Sequence, residues 1–226
     1  MDRSRFVEAC LALATPLELS ESQLNAFEAF EDALYRQNEV MNLTRIAKEE
    51  CWLRHFVDSV LFQDLIPANS VALDIGTGPG FPAWPLACAR PDLHVVGLDS
   101  SGKMLGFLRA NFLPNLKVVL NRAEDWAERD AFDFVTGRAL APLGIQLELS
   151  AHLCKIGGIV GPMRSSSEFE EVRKDVSRLG LELWKVEERM LPGTDIVRIM
   201  PLYRKAALTP ARYPRTWAEM KKRPLI

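Results

Sequence analysis

A chain of 226 residues with 48% apolar side chains is long enough to bury one large core, and no compositional class of disorder fits it. A net charge of −2, three histidines and four dispersed cysteines exclude a disulfide framework, a zinc knuckle and a metal-ligand pattern, so Cys10, Cys51, Cys88 and Cys154 are expected as buried thiols and no metal is expected. No apolar run approaches the roughly 18 residues of a membrane helix, and Met1-Asp2-Arg3-Ser4-Arg5 leads into too weak an apolar segment for a signal peptide, so a cytoplasmic location is expected.

Residues 4–14 and 22–39 carry apolar positions at helical spacing, with Leu24, Phe27, Phe30, Ala33 and Leu34 forming a stripe in the second segment. Ser20-Glu21-Ser22-Gln23 gives that helix a start signal, Asn42-Leu43-Thr44 reads as a turn, and a third helix is predicted over about 49–62. Pro67 closes this N-terminal helical unit, residues 1–67.

From Val71 the pattern alternates strand and helix. Val71-Ala72-Leu73-Asp74-Ile75 reads as a buried strand of a parallel sheet, followed by a glycine-rich turn, Gly76-Thr77-Gly78-Pro79-Gly80-Phe81, that lets backbone approach a ligand closely. The dinucleotide fingerprint G-x-G-x-x-G would need a third glycine where Phe81 stands. G-x-G-x-G with Asp74 two residues ahead resembles motif I of Rossmann-like S-adenosylmethionine (SAM) methyltransferases. A helix over 82–89 and a strand over 94–98 follow, with Asp99 at the strand's end, 19 residues past Gly80. An acid at about this separation can hold ribose hydroxyls. Asp99-Ser100-Ser101 is also good capping chemistry for the next helix, and both roles can hold at once.

The remaining predicted elements are a helix over 102–112, strands over 116–120 and 132–136, a helix over 143–153, a strand over 158–163 and a helix over 167–179. Strands near 182–188 and 195–202 flank Leu191-Pro192-Gly193-Thr194-Asp195 as an antiparallel hairpin. Residues 68–205 are thus expected to form the cofactor-binding domain. The charge is unevenly spread: residues 1–70 carry 12 acidic against 6 basic side chains, and residues 203–226 seven basic against one acidic. Residues 206–226 are therefore a candidate phosphate-contacting tail through Arg212, Arg215, Lys221, Lys222 and Arg223, with Tyr213 and Trp217 available to stack on unpaired bases. A solubilising terminus and a tail folded back as a structural strap are the alternatives.

Three separated segments carry a more specific likeness. Asn42-Leu43-Thr44, then Arg54-His55-Phe56-Val57-Asp58-Ser59, then Gly76-Thr77-Gly78-Pro79-Gly80-Phe81-Pro82 with Pro85-Leu86, resemble the N-L-T, R-H-x-x-D-S and G-x-G-x-G-F-P-x-x-P-L pattern of the RsmG (GidB) family. Leu98-Asp99-Ser100, Gly137-Arg138-Ala139 and the tail from Arg212-Tyr213-Pro214-Arg215 to Arg223-Pro224-Leu225 are similar to it as well. The resemblance implies an α/β fold of the class I SAM-methyltransferase type, with a mostly parallel sheet and an antiparallel edge strand. It implies SAM as cofactor, and methylation of guanine N7 in 16S ribosomal RNA, free or in a small-subunit assembly particle, by a monomeric protein without a membrane partner. By the same resemblance Gly76, Gly78, Gly80, Phe81 and Asp99 hold the cofactor, Ala123-Glu124 meet its adenine side, and Arg138 touches cofactor and positions substrate. Arg54 and Arg164 join the tail cations as candidate RNA contacts.

Other readings of these residues stay open. Arg138 could pair with Asp133 or Asp58, Glu124 could start a helix, and Arg54 with Asp58 could be an ion pair docking the helical unit. The chain departs from the family pattern at Arg164-Ser165 in place of Lys-Gly, at Ala83 in place of glycine, and at Asp195-Ile196-Val197, which lacks an expected arginine. A SAM-fold binding module without catalysis, or a methyltransferase for a non-RNA substrate, are the rival functions. Guanine N7 has an in-plane lone pair, so its methylation needs positioning and no general base; Val135-Thr136-Gly137-Arg138 offers no acid or N-P-P-Y motif for an exocyclic amine, and the Arg138 fork could meet guanine O6 or a phosphate.

Overall fold

The computed structural model describes residues 1–226, Phe169 by its backbone alone. Its N-terminal third is helical for local reasons. Helix α1 (Arg3–Leu11) starts where Asp2 accepts from the Arg5 amide, and α2 (Glu21–Met41) starts in a reciprocal cap between Ser20 and Gln23. Leu24, Phe27, Phe30 and Leu34 share the buried face of α2, and Asn42 ends it in the left-handed region at φ 49°. The predicted third helix is irregular: a tight turn at Lys48–Glu50, a wide π-helical stretch at Trp52–Val57, then α3 (Asp58–Val60). Wide turns of this kind insert a residue and re-aim side chains, which is why they collect at functional sites.

Five strands run parallel: β1 (Val71–Ile75), β2 (His94–Asp99), β3 (Leu116–Leu120), β4 (Phe132–Thr136) and β5 (Cys154–Val160). They are linked by α4 (Ala83–Ala89), α5 (Gly102–Ala110) and α6 (Leu143–Ala151). The two-residue β6 (Arg164–Ser165) and short α7 (Phe169–Val172) lead to β7 (Leu181–Met190) and β8 (Val197–Lys205), an antiparallel pair, before α8 (Trp217–Lys222). The sheet order is β3-β2-β1-β4-β5-β8-β6, with β7 paired to β8. Among the described residues no helix is long and apolar enough to cross a membrane.

Strand residues alternate between two cores. Ala72, Val95 and Phe134 face the helical unit with α4 and α5, while Leu73, Val96 and Val135 face α6 and the C-terminal segment. The first core centres on aromatic rings: Phe30 stacks on Trp84 at 4.0 Å, and Phe27 meets Phe6, Phe56 and Trp84 within 5.3 Å. The helical unit therefore shares one core with the sheet. Arg189 of β7 ties the hairpin to the same unit through Asp64 and the Leu61 carbonyl.

Besides this irregular third helix, sequence and structure part in three places. The helix predicted over 167–179 shrinks to α7 between tight turns, because Asp175, which accepts from the Ser177 amide at 2.9 Å, offers the backbone a competing partner, while the Ser165 hydroxyl bonds to the Ser167 and Glu168 side chains. The fifth strand starts four residues before its predicted position and crosses a bulge at Gly157, φ 85°. The last strand runs three residues past its predicted end, pairing with β7 as far as Lys205.

Residues 206–226 lie against α6. Arg215 donates through Nε and Nη2 to the two oxygens of Glu148, at 2.9 and 2.7 Å, and its amide donates to the same carboxylate at 2.8 Å. Tyr213 and Met220 are buried, and Ile226 sits so close to Gly144 that a Cβ there would stand 2.7 Å from it. Glu148 is 1% exposed, so removing its partner strands a charge in the interior. We expect Arg215→Ala to cost about 3 kcal/mol of stability in urea unfolding, while Arg212→Ala, at an exposed position, changes it by less than about 0.5 kcal/mol.

Candidate active site

The sheet order reverses between β1 and β4, and in open α/β sheets ligands bind beyond the strand C-termini at such a point. The turn after β1 is pinned there by its own backbone. The amides of Gly76 and Thr77 both donate to the Leu98 carbonyl, at 2.8 and 3.1 Å, and those of Gly80 and Phe81 to the Thr77 carbonyl at 2.9 Å. Gly76 (φ 73°) and Gly80 (φ 122°) adopt backbone angles that side chains rarely reach. A Cβ on Gly76 would also stand 2.5 Å from Leu140, and one on Gly80 2.8 Å from Leu108.

Asp99 ends β2 facing this turn. Its Oδ2 accepts from the Gly78 amide at 2.8 Å and its Oδ1 from the Ser101 amide at 2.7 Å, while the side-chain cap of α5 is Ser101. Beneath the turn, Asp74 is fully buried, beside Thr77, and its Oδ2 accepts from the Ala83 amide at 3.0 Å. Burial pushes the Asp74 carboxyl up to about 7, against the lowering pull of its hydrogen bonds and Arg138.

Beside the turn lies a cleft of about 270 Å³, lined by Gly76, Asp99, Asn121, Ala123, Glu124 and Leu140, with Trp217 of α8 at its edge. Glycine backbone at one end, a carboxylate in the middle and an apolar floor of Ile75 and Leu98 suit a nucleoside carrying a charged tail. Glu124 is held by Arg122, whose Nε donates to it at 2.7 Å.

A second cleft, of about 370 Å³, opens on the other side of the segment Arg138-Ala139-Leu140 and is lined by Arg54, His55, Arg138, Arg164, Glu168 and Arg198. Ala139 occupies the left-handed region at φ 53°, a conformation uncommon for alanine, between a residue facing one cleft and a residue facing the other. Arg138 follows β4 and points at the helical unit: Nη1 donates to Asp58 Oδ2 and to the Arg54 carbonyl, both at 3.1 Å. Arg198 of β8 donates to the same Asp58 from Nε and Nη2, at 2.9 and 3.2 Å.

Arg138 Nη2 lies 3.2 Å from His55 Nδ1, and a guanidinium can only donate, so Nδ1 accepts and Nε2 carries the proton. That proton meets Thr44 Oγ1 at 2.7 Å. Burial, then Arg138 and Arg54, hold the His55 pKa down at about 3. Neutral His55 stacks on Phe81 at 4.1 Å with 8° between planes, and the Arg138 guanidinium stands 5.6 Å from the same ring. The three sequence motifs thus converge: Thr44 orients His55, His55 braces Phe81 of the glycine turn, and Asp58 fixes the arginine that joins them.

The cationic residues separate into different environments. Arg54 reaches outward to Glu50 at 3.3 Å; Arg164 is buried, donating to the Ala141 carbonyl and Gln146 and pairing with Glu168. Arg215 is engaged by Glu148, whereas Arg212, Lys221, Lys222 and Arg223 are exposed. Arg198, Asn121, Arg122, Leu140 and Glu168 line the clefts although no sequence motif marks them. For Arg198 one signal exists: the last strand begins at Val197, later than predicted, so Arg198 is an arginine at the start of that strand.

Residues 23–192 match the family described as GidB, rRNA small subunit methyltransferase G. Among curated relatives, proteins named ribosomal RNA small subunit methyltransferase G from Lactobacillus johnsonii and Streptococcus pneumoniae are each 37% identical, covering 92% of this chain and 94% of their own. A TehB-like SAM-dependent methyltransferase from Corynebacterium glutamicum shares the fold at TM-score 0.53 and 17% identity, covering 79% of this chain and 99% of its own. A SAM-dependent methyltransferase from Aquifex aeolicus does so at TM-score 0.53 and 17% identity, covering 67% and 92%. The solved structures speak to the fold and the curated relatives to the lineage: the chain belongs to the GidB family, rRNA small subunit methyltransferase G.

Proposed function

We propose that this protein methylates N7 of a guanine in 16S ribosomal RNA, using SAM bound in the cleft beside the glycine turn. The observation that carries the reading is that the basic groups facing the second cleft are already engaged. Asp58 takes two guanidinium groups, both ring nitrogens of His55 have partners, and Glu168 pairs with Arg164. A site without a spare base suits an acceptor that carries its own lone pair, as guanine N7 does. SAM supplies a methyl group on a sulfonium sulfur. Transfer of that methyl carbon to N7, with cleavage of its bond to sulfur, would release S-adenosylhomocysteine and leave a cationic 7-methylguanine without moving a proton.

The chain's own residues then divide the work. Gly76, Gly78, Gly80 and Phe81 give the cofactor's amino-acid end a close backbone approach, Asp99 accepts from the ribose hydroxyls in place of the Gly78 amide, and Ala123 with Glu124 meets the adenine side. Arg138 faces the target base from the second cleft while held by Asp58, a restraint that keeps its charge off the ring that becomes cationic. Arg54, Arg212 and the Lys221-Lys222-Arg223 run are the proposed RNA contacts, by phosphate neutralisation, while Arg164 and Arg215, engaged by Glu168 and Glu148, position the RNA-binding surfaces around them. In this reading residues 68–205 form the cofactor domain, 1–67 contribute His55 and Asp58 to the substrate side, and 206–226 form a basic edge. The protein acts as a cytoplasmic monomer on the RNA or on a small-subunit particle, with no membrane partner.

The mechanism predicts SAM turnover that depends on 16S ribosomal RNA and stays flat between about pH 7.5 and 9, above the Asp74 carboxyl at about 7. No S-adenosylhomocysteine formed with that RNA, or a rate rising tenfold per pH unit in that range, overturns it. Asp99→Ala is expected to weaken SAM binding by about 1–3 kcal/mol in calorimetric titration; unchanged affinity removes Asp99 from the site.

The histidine also makes a stability prediction. Folded His55 stays neutral down to about pH 3, whereas the unfolded chain takes up that proton near 6.5, so acidification through this window favours unfolding. His152, held at about 4 by burial, acts the same way, and Asp74, raised to about 7, acts oppositely because the folded state binds its proton first. His55→Gln removes the His55 titration and leaves the others in place. Between pH 6 and 4 the parent should lose stability relative to this variant by about 1.4 kcal/mol per unit in urea unfolding; parallel pH curves would refute it.

A further inference from the structure

The cofactor cleft has one wall contributed from outside the alternating strands and helices. Trp217, the first residue of α8, lines it beside Asn121, Ala123 and Leu149. The indole is held there from both sides. Immediately before it, the backbone of Arg215 is fixed by the buried Glu148 of α6, and Thr216 caps α8 by accepting from the Glu219 amide at 3.4 Å while the Glu219 carboxylate accepts from the Thr216 amide at 3.0 Å. After it, Met220 is fully buried. Trp217 itself is only partly buried, packed on the core of α6 with its remaining surface on the cleft.

The direction along the cleft matters. The strand order β3-β2-β1-β4 puts Gly76, after β1, at the end nearest the second cleft, then Asp99 at the end of β2, and the turn after β3, residues 121 to 124, at the far end. The Arg122 guanidinium stands 5.9 Å from the Trp217 ring centroid while bonding to Glu124, so Trp217 belongs to that far end. A nucleoside whose ribose bonds to Asp99 directs its base there. Purines gain from lying on an aromatic face, and tryptophan offers the largest one among protein side chains.

We infer that Trp217 is a cofactor-binding residue, its indole forming the wall on which the adenine of SAM lies, so that the C-terminal segment is part of the cofactor site. This rests on the reading that SAM occupies this cleft. It assigns the fold-back of residues 206–226 a second consequence besides stability, since the Arg215–Glu148 pair places the ring.

The test is titration of the full-length protein with S-adenosylhomocysteine, by calorimetry and by tryptophan emission, alongside thermal unfolding without ligand. Trp217→Ala should bind about tenfold more weakly, Trp217→Phe within about threefold of the parent, and Trp184→Ala, on the exposed face of β7, like the parent. Ligand should quench parental emission by more than that of Trp217→Phe. Parent-like affinity in a Trp217→Ala protein with unchanged unfolding temperature overturns the inference and leaves the cofactor reading intact. If the alanine variant is destabilised, the phenylalanine variant decides: equal quenching in parent and Trp217→Phe overturns the assignment. A parent that binds no S-adenosylhomocysteine overturns the cofactor reading first and the inference with it.

Discussion

Asp58 is a carboxylate with 2% exposure, and a charge so buried is tolerated only where opposite charges and hydrogen-bond donors surround it. Arg138 and Arg198 supply both, from positions 80 and 140 residues further along the chain. The rest of the site depends on this restraint. Because Arg138 is fixed, His55 must present a bare Nδ1 to it, the opposite nitrogen must carry the proton to Thr44, and the ring must lie flat on Phe81 of the glycine turn. The wide helical turn at Trp52–Val57 belongs to the same constraint, since it precedes Asp58 directly and delivers His55 and Asp58 to one guanidinium.

The two clefts are therefore mechanically adjacent although chemically distinct. One is floored by apolar strand ends and closed by backbone amides and Asp99; the other is walled by arginines whose charge is only partly balanced by Asp58 and Glu168. Between them runs Arg138-Ala139-Leu140, with Leu140 lying against Gly76 and Ala139 in a left-handed conformation. A segment of this kind is short, conformationally costly and fixed at its first residue, which suits a partition that must hold two reactants in line without filling the space between them.

Much of this is legible in the sequence where the signal is local. The glycine turn announces itself because a buried strand, three glycines at alternate positions and an acid 19 residues on together suit a nucleoside ligand and little else. The alternation of strands and helices yields the sheet, and the N-L-T and R-H-x-x-D-S segments are visible as motifs. Their purpose is not. An ion pair between residues 80 apart leaves no period in the chain, so Asp58 is only one of two partners that the sequence allows Arg138, and Arg198, 140 residues from Asp58, is hidden for the same reason. The charge of the tail conceals that Arg215 is turned inward to Glu148 and that the apolar residues Tyr213 and Met220 hold the segment down. The predicted helix over 167–179 fails for the opposite reason: its spacing is helical, and Asp175 bonds to the Ser177 backbone amide instead.

A site whose bases are all committed suits methylation of an atom that needs none. The most direct measurement is transfer from radiolabelled SAM to small-subunit ribosomal RNA, free and in particles, taken from cells lacking the modification, followed by aniline cleavage at 7-methylguanine. Label in the RNA and a single new cleavage site are expected. Label on an exocyclic amine or a ribose hydroxyl, or no transfer by a protein that binds SAM, would contradict methylation at N7.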